Sequence, residues 1–262
     1  MPRRHDLPIA LTIAGSDSGG GAGIQADLKT FASLGVHGLT VVTSVTAQSP
    51  RAVRSIEPCS LAIVRKQLET VLEEFRPAAA KTGMLFSAAI IRSLAPFFSR
   101  RRGPVLVVDP VLVSTSGRTL LQSSARKALW DELMPRAALV TPNLHEVEFF
   151  LGRKIRSLDE LRSAARELYS RFGCAILAKG GHLPATKHAV DVFYDGKREV
   201  LLSAPFVRGI KTHGTGCTYS AAITAYLARG LSVTESVRKA KNYITRAIVS
   251  SHKTSGHTVL GW

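Results

Sequence analysis

The sequence predicts an α/β fold in which a mostly parallel central sheet is covered by helices on both faces. Short, continuously apolar runs such as 105–108 (VLVV) and 175–178 (AILA) alternate with segments of helical periodicity along the chain. Strands that are apolar on both sides belong in a parallel sheet between two layers of helices. Polar and glycine-rich segments follow these runs, at the edge where such sheets bind ligands.

The predicted elements alternate from one end of the chain to the other. Apolar runs predict strands at 7–14, 38–47, 78–81, 105–108, 137–140 and 175–178, then a β-hairpin of 190–194 and 200–203 that turns tightly at Asp195-Gly196. Helical spacing predicts helices at 22–34, 61–75, 87–98, 158–172, 216–228 and 234–250. No linker-like segment and no repeat of fixed period separates them, so we expect one domain over residues 1–262.

Composition narrows the class of protein. The three cysteines, Cys59, Cys174 and Cys217, are odd in number and lack C-x-x-C spacing. This argues against a disulfide framework or a zinc site and favours a reduced, cytoplasmic location. No apolar stretch reaches ~18 residues, so we expect no membrane span. The net charge of +16 suits polyanions, but the arginines are dispersed, so specific nucleic-acid binding is not expected.

A glycine-rich segment follows the first predicted strand. Residues 15–23 (GSDSGGGAG) allow the backbone to approach a ligand closely, and the helix start behind them favours anions. The segment matches neither the dinucleotide fingerprint nor a Walker A motif. Gln48, at the end of the second strand, carries an amide that can donate and accept toward a heterocycle. Asp27 is a candidate contact for a ring amine or hydroxyl, and Met84 is either an apolar wall of the site or a core residue.

The strongest candidate for chemistry opens the helix predicted near the C-terminus. Gly214, Thr215 and Gly216 precede Cys217, and successive backbone N–H groups at a helix start can stabilise a phosphoryl group during transfer. A helix N-terminus lowers the pKa of a thiol. Cys217 is therefore expected either to act as a base or to lie close to the reacting hydroxyl. The other two cysteines lack this setting and are interpreted as packing residues.

Polar side chains follow three further strands. Asp109 ends one strand, Asn143 and Glu146 follow the next, and Lys179 follows a third. Hard oxygen ligands of this kind suit Mg²⁺, and a lysine can neutralise a nucleotide phosphate. Asn143 and Glu146 also have the spacing of a capping box, which is compatible with metal binding.

Together these segments resemble the hydroxymethylpyrimidine/phosphomethylpyrimidine kinase family of the ribokinase-like superfamily over nearly the whole chain. The resemblance is carried by ALTIAGSDS (10–18), GGAGIQADLKT (20–30), KTGML (81–85), DPV (109–111), TPN (141–143), KGGH (179–182) and HGTGCT (213–218). It implies a ribokinase-like α/β/α kinase that uses ATP and Mg²⁺. It further implies a homodimer that phosphorylates 4-amino-5-hydroxymethyl-2-methylpyrimidine, and then its monophosphate, in thiamine biosynthesis.

The resemblance also implies a role for each matched position. The catalytic cysteine and the anion-hole backbone correspond to Cys217, Gly214, Thr215 and Gly216. The glutamine that recognises the pyrimidine corresponds to Gln48. The residues around that glutamine correspond to Gly15, Asp27 and Met84. The ATP-phosphate region corresponds to Asn143, Lys179 and Thr212, and the Mg²⁺ region to Asp109 and Glu146.

Two alternative functions stay open. Some pyridoxal kinases of the same superfamily share the early glycine loop and the G-x-G-C motif, but those kinases lack the glutamine that Gln48 represents. A non-catalytic ligand- or nucleic-acid-binding protein on this fold is disfavoured, since binding alone does not require the set of Asp109, Asn143, Lys179 and Cys217. The C-terminal residues 255–262 depart from the Gly-Pro-rich ending of the family, so no contact on the adenine side is predicted from them.

Overall fold

The structure is a computed structural model that describes residues 6–98, 103–114, 117–181, 183, 188–207 and 213–262. The strands of the main sheet are β1 (Ile9–Asp17), β2 (His37–Ser49), β3 (Ala52–Pro58), β4 (Ala79–Thr82), β5 (Val105–Val108), β6 (Leu139–Val140), β7 (Ala175–Ala178), β8 (His188–Tyr194) and β9 (Glu199–Pro205). A separate small hairpin comprises β10 (His252–Thr254) and β11 (His257–Val259). The α-helices are α1 (Gly23–Ser33), α2 (Leu61–Glu74), α3 (Ala88–Leu94), α4 (Ala125–Ala128), α5 (Leu144–Leu151), α6 (Leu158–Phe172), α7 (Thr215–Ala228) and α8 (Val233–Val249).

Within the described residues, the main sheet has the strand order β3-β2-β1-β4-β5-β6-β7-β8-β9. Six neighbouring strands run parallel to one another, namely β2, β1, β4, β5, β6 and β7. The outer strands β3, β8 and β9 are antiparallel to their neighbours. Along the chain, β2 and β3 are added on one side of β1, and the strands from β4 to β9 are then added in order on its other side. The switch between β1 and β4 opens a crevice at the carboxyl ends of the strands, where ligands of such sheets bind.

Two hydrophobic cores flank the sheet. Leu11 and Ile13 of β1 join the core beneath α2 to α6, whereas Ala10 joins the core beneath α1, α7 and α8. Successive side chains of a strand point to opposite faces, which explains this division. The three-layer α/β/α arrangement predicted from the sequence is therefore confirmed. No helix in the described ranges is both long enough and apolar enough to cross a membrane.

Several element boundaries differ from the sequence prediction. The helix expected over 87–98 ends at Leu94 and gives way to a 3₁₀ turn, because Pro96 cannot continue an α-helix. The predicted β-hairpin is confirmed, and its strands are longer than expected: β8 begins at His188, β9 runs from Glu199 to Pro205, and four residues that include Asp195 and Gly196 connect them. The carboxylate of Asp195 accepts from the N–H groups of Lys197 and Arg198 and so stabilises the longer turn.

Candidate active site

The start of α7 presents backbone N–H groups that no side chain caps. Gly214 is the N-cap residue, with a left-handed backbone at a φ of 81°. A Cβ at this position would overlap the backbone oxygen of Gly21, so only glycine lets the two segments meet. The first N–H groups of any α-helix lack acceptors within the helix. Those of Thr215, Gly216 and Cys217 therefore have the geometry of an anion-binding site.

The thiol of Cys217 lies in the first turn of this helix. The residue is half-buried, but protein surrounds the thiol densely, and this desolvation raises its pKa to about 11. The positive charge of Lys81 and a hydrogen bond from the N–H of Gly23 oppose the shift without cancelling it. The prediction that the helix start lowers this pKa is therefore wrong, because desolvation exceeds the favourable electrostatics. A neutral thiol favours the role of a group close to the reacting hydroxyl.

Asp109 and Lys179 form a buried ion pair beside the start of α7. Lys179 Nζ lies 3.0 Å from Asp109 Oδ1, and the hydroxyls of Thr141 and Ser220 donate to the two carboxylate oxygens at 3.1 and 3.2 Å. Nζ lies 3.5 Å from the point where a Cβ would stand at Gly216. Burial opposes ionisation of Asp109, but Lys179 and the hydrogen bonds outweigh it and lower its pKa. The pair thus brings a carboxylate and an ammonium group to the anion-binding helix start.

Asn143 and Glu146 start α5 with the predicted capping box. The N–H of Glu146 donates to Asn143 Oδ1 at 3.0 Å, and the N–H of Asn143 donates to Glu146 Oε2 at 2.8 Å. Burial raises the pKa of Glu146 to about 8, which Lys179 opposes and the charge of Asp109 reinforces. A bound cation would relieve the cost of ionising this carboxylate.

The carboxylates of Asp109 and Glu146 therefore fit Mg²⁺, which prefers hard oxygen donors. In the part of the chain that the structure describes, no group of three or more His, Cys, Asp or Glu side chains could hold a metal by itself. A metal with few protein ligands matches Mg²⁺, which usually keeps several waters and binds phosphate oxygens as well.

The glycine-rich loop already binds an anion, namely its own Asp17. Oδ1 of Asp17 accepts from the N–H of Gly19 at 2.8 Å, and Oδ2 accepts from the N–H groups of Gly21 and Ala22 at 3.1 and 2.8 Å. Burial opposes ionisation of Asp17, but these hydrogen bonds and one from His213 outweigh it and lower its pKa. These N–H groups bind a carboxylate of the loop itself, and contact of the loop with a ligand stays a prediction.

Gly15, Gln48 and Met84 lie at or just beyond the carboxyl ends of β1, β2 and β4, which are neighbours in the sheet. A Cβ at Gly15 would lie 2.7 Å from Ser44 Oγ and 3.3 Å from Met84 Sδ, so the glycine allows close packing here. The half-buried Gln48 places its amide 2.9 Å from Nε2 of His213. These three predicted substrate residues therefore share one edge of the crevice.

Asp27, the fourth predicted substrate residue, lies inside the protein. Both of its carboxylate oxygens are 3.0 Å from Lys81 Nζ, and Thr12 Oγ1 donates to Oδ2 at 2.6 Å. Both charged side chains are 0% exposed. Burial alone would lower the pKa of Lys81, but the charge of Asp27 outweighs it and raises that pKa. The predicted direct contact of Asp27 with a ring amine or hydroxyl is wrong for this arrangement, because its oxygens are already engaged.

Three residues next to the site had no predicted role, namely Asp17, Lys81 and His213. Lys81 stands in the otherwise uncharged strand AAKT, and a lysine there indicates a buried charge that needs a partner. His213 directly precedes the glycine at the start of α7, which could have marked it as a neighbour of the anion site. Thr212, a predicted nucleotide contact, lies outside the residues that the structure describes.

Comparison with known proteins places these features in a family. A family model described as phosphomethylpyrimidine kinase matches residues 17–260. The hydroxymethylpyrimidine/phosphomethylpyrimidine kinase of Bacillus subtilis is 41% identical over 91% of this chain and 88% of its own length. The enzyme of the same name from Rhizobium meliloti is 46% identical over 94% of this chain and 92% of its own length. A thiamine biosynthesis bifunctional protein of Geobacter sulfurreducens is 44% identical over 94% of this chain and half of its own length.

Solved structures show the same fold in two kinds of kinase. Phosphomethylpyrimidine kinase from Clostridium difficile 630 superimposes with a TM-score of 0.79 and 41% identity, over 92% of this chain and 99% of the other. Pyridoxal kinase from Bacillus subtilis, solved as an ADP complex, gives a TM-score of 0.87 and 36% identity over 97% of each chain. The predicted ribokinase-like fold is confirmed, and the fold by itself does not distinguish the two activities.

Proposed function

Because this chain belongs to the phosphomethylpyrimidine kinase family, we propose that it phosphorylates 4-amino-5-hydroxymethyl-2-methylpyrimidine and then converts the monophosphate to the diphosphate. Its relatives carry the names of both kinase activities or of thiamine biosynthesis. The observation that carries the proposal is the uncapped start of α7, with the Asp109–Lys179 pair beside Gly216. A helix start with an adjacent ammonium group suits a phosphoryl group in transfer.

In the proposed reaction, the hydroxymethyl oxygen attacks the γ-phosphorus of ATP, and the bond to the leaving ADP oxygen breaks. The N–H groups of Thr215, Gly216 and Cys217 stabilise the negative charge of the transferred group. Lys179 neutralises phosphate charge on the nucleotide side. The neutral thiol of Cys217 excludes water next to the reacting hydroxyl. The proton of that hydroxyl passes to a non-bridging oxygen of the transferred phosphoryl group as the new P–O bond forms.

The nucleotide side of the site is proposed to include the groups that follow β5 and β6. Asp109 and Glu146 would hold Mg²⁺, and Asn143 and Thr212 are proposed contacts of the ATP phosphates. Mg²⁺ bound there would neutralise charge shared by the β- and γ-phosphates. The buried position of Glu146 supports this assignment, since its carboxylate ionises readily only when a cation is near.

The acceptor side is proposed to use Gln48, Met84 and Gly15. A 4-aminopyrimidine presents an N–H donor beside a ring-nitrogen acceptor, and a carboxamide such as that of Gln48 has the complementary pair. Met84 gives the ring an apolar wall, and Gly15 lets Met84 and Ser44 pack closely against the end of β1. Asp27 supports this side from below through Lys81 rather than by touching the ring.

We also propose that the chain is a single kinase domain that works as a homodimer in the cytoplasm. The family resemblance supports the dimer, and three cysteines without disulfide spacing support a reducing compartment. Light scattering on the purified protein measures the assembly directly, and a mass of one chain would contradict the dimer.

Pyridoxal phosphorylation is the competing function, because solved pyridoxal kinases share the fold at 33–36% identity. The test compares kcat/KM for the hydroxymethylpyrimidine, its monophosphate and pyridoxal with Mg-ATP, by coupling ADP release to an optical signal. We expect both pyrimidines to exceed pyridoxal, and the opposite order would overturn the assignment. A Lys179→Met variant purified in parallel controls for contaminating kinases, since it should lose most of the activity.

A further inference from the structure

His213 joins the glycine-rich loop to the amide of Gln48. Its Nε2 atom lies 3.2 Å from Oδ2 of Asp17 and 2.9 Å from the terminal amide of Gln48. Its Cδ2 atom lies 3.0 Å from the point where a Cβ would stand at Gly21. The side chain is only 15% exposed and belongs to the residue directly before Gly214. One imidazole thus contacts two segments of the acceptor side, and its residue directly precedes the anion-binding helix start in the chain.

Only one protonation state of Nε2 of His213 is compatible with both of its neighbours, Asp17 and Gln48. If Nε2 carried a lone pair, it could accept from Gln48 but would face the carboxylate of Asp17 with like polarity. The two oxygens of Asp17 accept from the N–H groups of Gly19, Gly21 and Ala22, which is an environment that stabilises an ionised carboxylate. If Nε2 carries the proton, this one N–H is shared between Asp17 Oδ2 and the Gln48 amide, whose oxygen must then face His213 in order to accept it. The carboxylate favours this second arrangement.

The opposite ring nitrogen points to the same tautomer. Nδ1 of His213 is buried and has no hydrogen-bond partner among the described residues. A buried N–H without an acceptor is costly, so a proton on Nδ1 would destabilise the folded state. The neutral ring therefore carries its proton on Nε2.

Thr46 completes the assignment on the other side of the amide. Thr46 Oγ1 donates its one proton to the backbone oxygen of Ser16 at 2.8 Å. The structure has the amide oxygen of Gln48 3.3 Å from this hydroxyl and the amide nitrogen toward His213, but the hydroxyl has no proton left to donate and can only accept there. The amide is therefore assigned the opposite way round, with its nitrogen toward Thr46 and its oxygen toward His213. The two ends of an amide have the same shape, so hydrogen-bond chemistry decides between them.

We propose that His213 is a positioning residue for substrate selection, which is held by Asp17 and sets which way the Gln48 amide faces. The inference rests on the proposed function, in which Gln48 recognises the aminopyrimidine. A locked amide presents its acceptor and its donor in one fixed order. That order complements the N–H donor and ring nitrogen of the aminopyrimidine, whereas the pyridine ring of pyridoxal has no exocyclic amino group to match it.

The tautomer can be tested without any activity. In full-length protein with ¹⁵N-labelled histidine, the His213 signals are identified by their loss in a His213→Gln variant. We expect a protonated Nε2 and an unprotonated Nδ1 at pH 7.5. A proton on Nδ1 alone would overturn the proposal, and this result does not depend on whether the proposed kinase activity exists.

Selectivity gives the second test. His213→Leu removes the N–H, so kcat/KM for the pyrimidine should fall about tenfold, mostly through KM, while pyridoxal changes little. His213→Gln can place an N–H near the same point and should restore most of the selectivity. His252→Leu, an exposed histidine on β10, is the matched control and should leave both substrates unaffected.

A double-mutant cycle separates orientation of Gln48 from general structural support. In a Gln48→Leu background, His213→Leu should lower pyrimidine selectivity by less than about twofold, because no amide remains to orient. Full additivity of the two substitutions would refute the proposal. If wild-type protein does not phosphorylate the pyrimidine, the proposed function fails, and the ¹⁵N experiment still decides the tautomer.

Discussion

The buried Asp27–Lys81 ion pair lies beneath the candidate site, and removing one of its partners tests how much the pair contributes to the stability of the fold. Lys81→Met removes an ammonium nitrogen that lies 3.0 Å from both oxygens of Asp27 and leaves that carboxylate with Thr12 as its donor. Both charged side chains are fully buried. Removing one partner of such a pair costs about 3–5 kcal/mol. For a chain of this size, that loss lowers Tm by roughly 6–20 °C.

The double variant shows whether the loss comes from the unpaired charge. Asp27→Asn combined with Lys81→Met removes both charges, and the new amide oxygen can still accept from Thr12. We expect the double variant to be at least about 2 kcal/mol more stable than the sum of the two single losses predicts. The free energies of unfolding are measured by urea titration with circular dichroism. Lys66→Met, at an exposed position of α2, is the control and should change stability by less than about 0.5 kcal/mol.

The pH dependence of the Lys81→Met variant has a definite sign. Without the ammonium group, burial dominates and raises the pKa of Asp27 further above its unfolded value. The folded state then keeps a proton that the unfolded state releases, so stability falls as pH rises above the unfolded pKa of about 4. Strictly additive single losses, or a Lys81→Met loss below about 1 kcal/mol, would refute the reasoning, because a buried unpaired carboxylate cannot be that inexpensive.

Four further predictions concern the groups around α7. The Cys217 thiol, with a pKa of about 11, should react with iodoacetamide about tenfold faster per pH unit from pH 7.5 to 9.5, and a plateau would contradict burial. If this thiol stays neutral in turnover, the wild-type to Cys217→Ala ratio of kcat should not change with pH, whereas a thiolate base would make it rise about tenfold per unit. Lys179→Met should raise KM for ATP at least about tenfold, and an unchanged KM would contradict its phosphate contact. Gly214→Ala should lose most activity because its Cβ meets the oxygen of Gly21, whereas Gly230→Ala, with a φ of 84° and open space, should keep it.

The parts of the fold that sequence patterns predict well are those buried on both faces. β5, α6 and β7 begin and end where the apolar runs and helical spacing place them. β3 was missed because it is an edge strand, AVRSIEP, whose mostly exposed residues show no apolar run. The short helix α4 was missed because it continues into irregular turns rather than a regular helical pattern.

Some features of the candidate site could likewise be predicted from the sequence, and others could not. The capping box of Asn143 and Glu146 follows from residues three positions apart, so sequence spacing predicts it. The meeting of Asp109 with Lys179 follows from the rule that parallel strands end at one edge of the sheet. The contacts of Asp27 could not be predicted, because its partner Lys81 lies 54 positions away and is brought near by the pairing of β1 with β4.

The sequence by itself determined the kinase family, the three-layer fold and the glycine-rich helix start before Cys217, since these depend on local patterns and short motifs. Only the tertiary structure decided the charge state of the groups around that helix start. Burial keeps the Cys217 thiol protonated, Asp17 satisfies the glycine-rich loop, and Asp27 is paired internally with Lys81. The physical reason is that desolvation and ion pairing depend on which distant segments the fold brings together, and no local pattern encodes that distance.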